Sequence, residues 1–189
     1  YSDSHGTGTW SILGGLKPGE LVGPAYGSSF ILAKTETEKY EKPIEEDFWV
    51  AGIEWAEALG AEVVSSSLGY LDWYTFDDMD GETAVTTRAA NRAVSLGVVV
   101  VTAAGNERNN VWGHIIAPAD GFEVIACGAV DARGRIASFS SPGPTADGRI
   151  KPEVCALGVN NWMAARAADG LDTYRRSSGT SFSTPLVAG

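Results

Sequence analysis

The chain has 189 residues, 44% of them hydrophobic, and a formal net charge of −10. A domain of this size can bury a substantial core, and an acidic balance argues against nucleic acid as a partner, since polyanions select basic faces. No apolar run approaches the roughly 20 residues needed to span a bilayer, and the two cysteines, Cys127 and Cys155, offer neither a disulfide framework nor metal-ligand spacing, so both read as small buried hydrophobes.

Taken in order, the elements alternate between helix and strand, which predicts an α/β fold built on a mostly parallel sheet with right-handed crossovers. Ser4-His5-Gly6-Thr7-Gly8-Thr9-Trp10 leads into a helix of small and apolar residues that stops at Gly14-Gly15. Residues 30–33, Phe-Ile-Leu-Ala, predict a strand. Residues 35–47 are polar and rich in Glu and Lys, which fits an exposed loop or helix entry. From 47 to 59, Trp49, Val50, Ile53, Ala56 and Leu59 fall near helical spacing, closed by Gly60.

Residues 63–66 predict the next strand. The acidic run from Asp77 to Glu82 suggests a calcium loop, but aligning Gly81 to the turn glycine puts Phe76 and Thr87 at the first and last ligand positions. It therefore reads as a solvated loop. A helix over 83–96 ends at Gly97 and feeds Val98-Val99-Val100-Val101, a β-branched run typical of a strand buried on both faces. Residues 123–130 predict a further strand, and 153–156 a turn carrying Cys155. No repeat or interdomain linker interrupts the chain.

Three polar groups lie where acyl transfer needs them. In Gly179-Thr180-Ser181-Phe182-Ser183-Thr184-Pro185, Ser181 stands at a predicted helix start, beside free N–H groups that favour negative charge. Asn106 ends Ala103-Ala104-Gly105-Asn106, past the carboxyl end of the valine strand, where open α/β sheets place ligands. His5 is the candidate base. Together they supply a nucleophile, a proton acceptor and a fixed donor for an oxyanion. Two other readings fail: Gly6-x-Gly8 lacks the third glycine and preceding strand of a dinucleotide site, and Ser183 stands where a lipase elbow needs glycine. His114 has no carboxylate or cysteine pattern near it and reads as a structural histidine.

The His-Gly-Thr, Ala-Ala-Gly-Asn and Gly-Thr-Ser-x-x-Thr-Pro blocks, in that order, resemble the catalytic domain of the subtilisin-like serine proteases, the subtilases. Ser66-Ser67-Leu68-Gly69, Val124-Ile125-Ala126-Cys127-Gly128-Ala129-Val130, Ala137-Ser138-Phe139-Ser140-Ser141 and Lys151-Pro152-Glu153-Val154 extend the likeness across the chain. The resemblance implies a three-layer α/β fold with helices on both sheet faces. It also implies a secreted or cell-envelope serine endopeptidase in which His5 and Ser181 act with an aspartate, and Asn106 binds the oxyanion. It implies a polypeptide substrate held between Ser67-Leu68-Gly69 and Ala103-Ala104-Gly105, whose small residues suggest an open pocket for a sizeable apolar side chain. Glu107 would bias the rim toward basic groups. No cofactor is needed for the chemistry; structural calcium is compatible with the resemblance, but no ligands are placeable.

The triad aspartate of the family lies on a strand well upstream of the histidine, whereas only four residues precede His5 here. Asp3 is too close in sequence to His5 to replace it. Residues 1–189 are therefore expected to be part of a catalytic domain, cut before the histidine motif and after the serine motif. An alternative of a different class is an inactive domain that binds peptides or protein partners through the same groove. The oligomeric state is not legible.

Overall fold

The computed structural model describes residues 2–37, 41–165 and 173–189, with side chains from Ser4 onward. In chain order the elements are α1 (Ser2–Gly14), β1 (Leu16–Lys17), β2 (Leu21–Val22), α2 (Ile44–Ala58), β3 (Val63–Ser66), α3 (Val85–Ser95), β4 (Val99–Ala103), β5 (Ile125–Val130), β6 (Val154–Leu157), β7 (Asn161–Ala165), β8 (Thr173–Ser177) and α4 (Thr180–Ala188). Strands β3, β4, β5 and β6 form a parallel sheet in that order. Ser66 pairs with Thr102, and Ala103 with Cys127.

Side chains alternate across this sheet, so its two faces fill two layers. On one face Val64 and Val100 join Trp49 and Ile53 of α2, Ala90 and Ala93 of α3, and Tyr70, Val98 and Val124 in the largest apolar cluster. Trp49 buries its ring there and satisfies its one polar group by donating Nε1–H to Ser66 Oγ at 2.9 Å. On the other face α4 packs across all four strands. A second cluster, Ile12, Met163 and Phe182, joins α1, β7 and α4. Gly8 makes that contact possible, because a β-carbon there would stand 2.6 Å from Met163 Cε. This is the three-layer α/β architecture expected.

Helix ends follow their sequence signals. Glycines with positive φ follow α2 and α3 directly after their C-caps, Gly60 at 85° and Gly97 at 99°. α2 begins at Ile44, three residues earlier than expected, with Pro43 at the N-cap position and Glu45, Glu46 and Asp47 in the first turn, where the helix dipole favours acids.

Three expectations need correction. Among the described residues, 30–33 have no partner strand; Phe30 instead meets Trp10 edge-on at 5.9 Å, Ala33 lies against Gly52, and Leu32 is exposed. The segment 153–156, read as a turn, instead enters β6 (Val154–Leu157), which pairs with β5, Cys155 opposite Gly128. Only one cysteine is a buried hydrophobe: Cys127 is enclosed, and burial pushes its thiol up to about 12, whereas Cys155 is exposed. The antiparallel β7–β8 pair was not anticipated either; Trp162 and Tyr174 stack on one of its faces at 5.7 Å.

Candidate active site

The carboxyl end of β4 and the N-terminus of α4 meet, and the meeting fixes the Asn106 amide. Thr180 donates to Asn106 Oδ1 twice, from its backbone N–H at 2.9 Å and from Oγ1 at 3.1 Å. A backbone N–H can only donate, so the atom it faces must be the amide oxygen. The Nδ2 donor therefore lies on the other branch, beside Gly179. Thr180 Oγ1 also accepts from Gly105 N at 3.2 Å, tying the loop after β4 to the helix. The adjacent Ser181 is the second residue of α4, so its N–H has no acceptor within the helix.

Pro185 lies inside α4 and lacks the N–H that would bond back to the carbonyl of Ser181, four residues earlier. Ser67 Oγ fills that vacancy, donating to Ser181 O at 2.7 Å, and Ser181 Oγ donates to Ser67 O at 3.0 Å. The segment after β3 is thereby tied to the same helix end.

His5 reaches the site from α1, which packs on α4. Its ring lies 5.7 Å from that of Phe182, the neighbour of Ser181, at an interplanar angle of 54°. Burial, then the Arg175 charge, hold its pKa below the ordinary histidine value. The Ser181 hydroxyl hydrogen is directed at Ser67 O, and among the described residues no bond joins it to His5 and no carboxylate is bonded to His5. The side chain of Asp3 lies outside the described residues.

Ser67, Leu68 and Gly69 follow β3, and Ala103, Ala104 and Gly105 end β4 and follow it. Residues 115–117 thread between these walls: Ile116 N–H donates to Ala104 O at 3.2 Å, while Ala117 and Tyr70 exchange backbone bonds of 2.8 and 3.2 Å. Sequence reasoning missed this insert and the clamp from Thr180. The only available signal for the latter was a hydroxyl residue directly before the candidate nucleophile. Glu107, expected at the rim, accepts a hydrogen bond from Asn110 Nδ2. His114 stacks on Phe76 at 4.0 Å, and among the described residues its Nδ1 has no partner.

For a metal, the described residues bring together Glu36, Glu41 and Glu45. Glu45 is buried; its Oε1 accepts from Thr37 N and Oγ1 and its Oε2 from Lys42 N, while Glu36 accepts from Tyr70 Oη. One oxygen from each of the three carboxylates lies within 4.8 Å of the other two; at one oxygen each they fall short of the six to eight that calcium takes, and those of Glu36 and Glu45 already accept hydrogen bonds from the protein. In the acidic run 77–82, Asp78 and Asp80 accept from Thr75, Glu82 and Thr83 within their own turns.

The whole chain, residues 1–189, matches the model of the subtilase family. Serine protease AprX of Bacillus subtilis (strain 168) is 30% identical over 217 residues, covering 100% of this chain and 48% of that protein. Subtilisin of Bacillus pumilus is 34% identical over 198 residues, covering 100% and 62%. Among solved structures, the prenylagaramide maturation protease PagA superposes with a TM-score of 0.77 at 26% identity, over 98% of this chain and 61% of that one. The self-cleaved protease domain of PatA gives 0.73 at 30% identity, over 98% and 64%. The chain thus spans less than two-thirds of the length of each of these relatives.

Proposed function

Because this chain belongs to the subtilase family, we propose that the protein containing it is a serine endopeptidase that cleaves polypeptides through an acyl-enzyme on Ser181. The observation that carries the reading is the Thr180 clamp. With Asn106 Oδ1 held at 2.9 and 3.1 Å, Nδ2–H and the Ser181 N–H are two preset donors at a helix N-terminus, and such donors stabilise an oxyanion without reorganising.

Ser181 Oγ leaves its bond to Ser67 O, gives its proton to His5 and adds to the carbonyl carbon of the substrate. Asn106 Nδ2–H and Ser181 N–H bind the tetrahedral oxygen. His5 returns the proton to the leaving amine as the C–N bond breaks, and water, deprotonated by His5, then hydrolyses the ester. The triad aspartate that orients the imidazole would come from outside these residues. The chemistry requires no cofactor. The walls 67–69 and 103–105 would hold the substrate as an added strand, and secretion or envelope location fits the family reading. Among the described residues no helix is long and apolar enough to cross a membrane.

Hydrolysis of reduced casein by the full-length protein tests the reading. It is expected to vanish in Ser181→Ala and in His5→Ala, and persistence in Ser181→Ala would overturn it. The hydrogen bond from Ser181 Oγ to Ser67 O, rather than to His5, favours one second reading, a domain that binds peptides without cleaving them; it predicts casein binding with no hydrolysis in the unaltered protein.

A further inference from the structure

The two substrate walls each contain a glycine, and one side chain touches both. A β-carbon on Gly69 would lie 2.6 Å from Ile116 Cδ1 and 2.7 Å from its Cγ1. A β-carbon on Gly105, whose φ is 106°, would lie 3.2 Å from both Cγ1 and Cγ2 of the same isoleucine. Ile116 therefore stands between the walls, and the missing side chains of Gly69 and Gly105 make room for it.

Its position is fixed from all sides. The backbone is held by the bond from Ile116 N–H to Ala104 O and by the paired bonds between Ala117 and Tyr70. Ile115, Ala117 and Ala104 are fully buried around it, and Ile116 keeps 7% of its surface exposed. A β-branched side chain in such a setting has little rotamer freedom, and a close-packed interior resists its displacement.

We propose that Ile116 is a specificity-determining residue, which closes the floor of the slot between 67–69 and 103–105 and restricts it to small substrate side chains such as those of glycine, alanine and serine. The proposal rests on the peptidase reading above and reverses one expectation from the sequence. The small residues of the walls accommodate Ile116 rather than a sizeable apolar group of the substrate. A benzyl or isobutyl side chain would have to occupy the volume that the isoleucine fills, whereas a methyl or hydroxymethyl group rests above it.

The test compares kcat/KM of the full-length protein on succinyl-Ala-Ala-Pro-Ala and succinyl-Ala-Ala-Pro-Phe p-nitroanilides, for the unaltered chain, Ile116→Val and Ile116→Ala. Active-site titration with a small fluorophosphonate counts the competent Ser181 in each sample, so a folding defect is separated from a change in selectivity. The unaltered protein is expected to favour Ala over Phe by at least about tenfold, and Ile116→Ala to move that ratio toward Phe by about ten- to a hundredfold, the range that a few methylenes control in an apolar pocket. Ile116→Val should fall between. Equal or greater activity on Phe in the unaltered protein overturns the inference alone, as does an unchanged ratio in both variants at full titration. Neither titration nor hydrolysis in the unaltered protein would overturn the peptidase reading and this inference with it.

Discussion

Ser181 and Ser67 are joined by two hydrogen bonds running in opposite directions, from Ser181 Oγ to Ser67 O at 3.0 Å and from Ser67 Oγ to Ser181 O at 2.7 Å. The second satisfies a carbonyl that Pro185 leaves without its helical donor. Ser67→Ala removes the donor while the carbonyl stays partly buried, at a cost of about 1–3 kcal/mol. In a domain of this size each kcal/mol lowers Tm by about 2–4 °C. Thermal unfolding of the full-length protein is expected to show that decrease; an unchanged Tm would mean that water replaces the hydroxyl.

In the proposed mechanism Asn106→Ala removes one of two oxyanion donors and leaves the Ser181 N–H in place. The expected loss is about 10²–10³ in kcat with KM little changed, the magnitude established for such a donor in a subtilisin. A loss below tenfold, or one confined to KM, would remove Asn106 from the role.

Arg175 acts on the candidate base from β8. It pairs in register with Met163, whose side chain packs against Gly8 of α1, one turn from His5. Burial and the Arg175 charge both lower the His5 pKa, so the neutral, proton-accepting imidazole persists to lower pH. Arg175→Gln removes the cation but not the burial. The histidine pKa should rise, and the acid limb of the kcat/KM profile should move to higher pH, more clearly at low salt, where an exposed charge is less screened. Movement to lower pH would contradict this sign.

Glu46, a carboxylate 3% exposed, holds α2 to the segment after β3 and to α3. It accepts from Trp73 Nε1 at 2.6 Å, from Tyr74 Oη at 2.8 Å and from Thr86 Oγ1 at 3.2 Å. Glu46→Ala leaves three donors without an acceptor and opens a cavity, so it should destabilise by about 3–5 kcal/mol in chemical denaturation. Glu46→Gln, which keeps an acceptor oxygen, should cost less.

The features legible in the sequence are those fixed by local chemistry. Gly60 and Gly97 mark the ends of α2 and α3 because a positive φ suits glycine there, and the valine run forms β4, buried from Val100 onward although Val99 at its start is exposed. Asn106 and Ser181 were placed by their motifs at a strand end and a helix start. The misread elements depend on partners distant in sequence. Residues 30–33 have strand-like side chains but no pairing edge among the described residues, whereas β6 has an unremarkable sequence and becomes a strand because β5 lies beside it. The side chain between 67–69 and 103–105 was hidden for the same reason: the glycines at 69 and 105 advertise space, and only the fold shows that Ile116 occupies it.

The most direct test of the central claim is the mass of the full-length protein after treatment with a fluorophosphonate, followed by peptide mapping of the adduct. One adduct on Ser181, absent in Ser181→Ala and strongly slowed in His5→Ala, is the predicted result. A folded, unlabelled protein, or an adduct on any other serine, would contradict the assignment of Ser181 as the nucleophile.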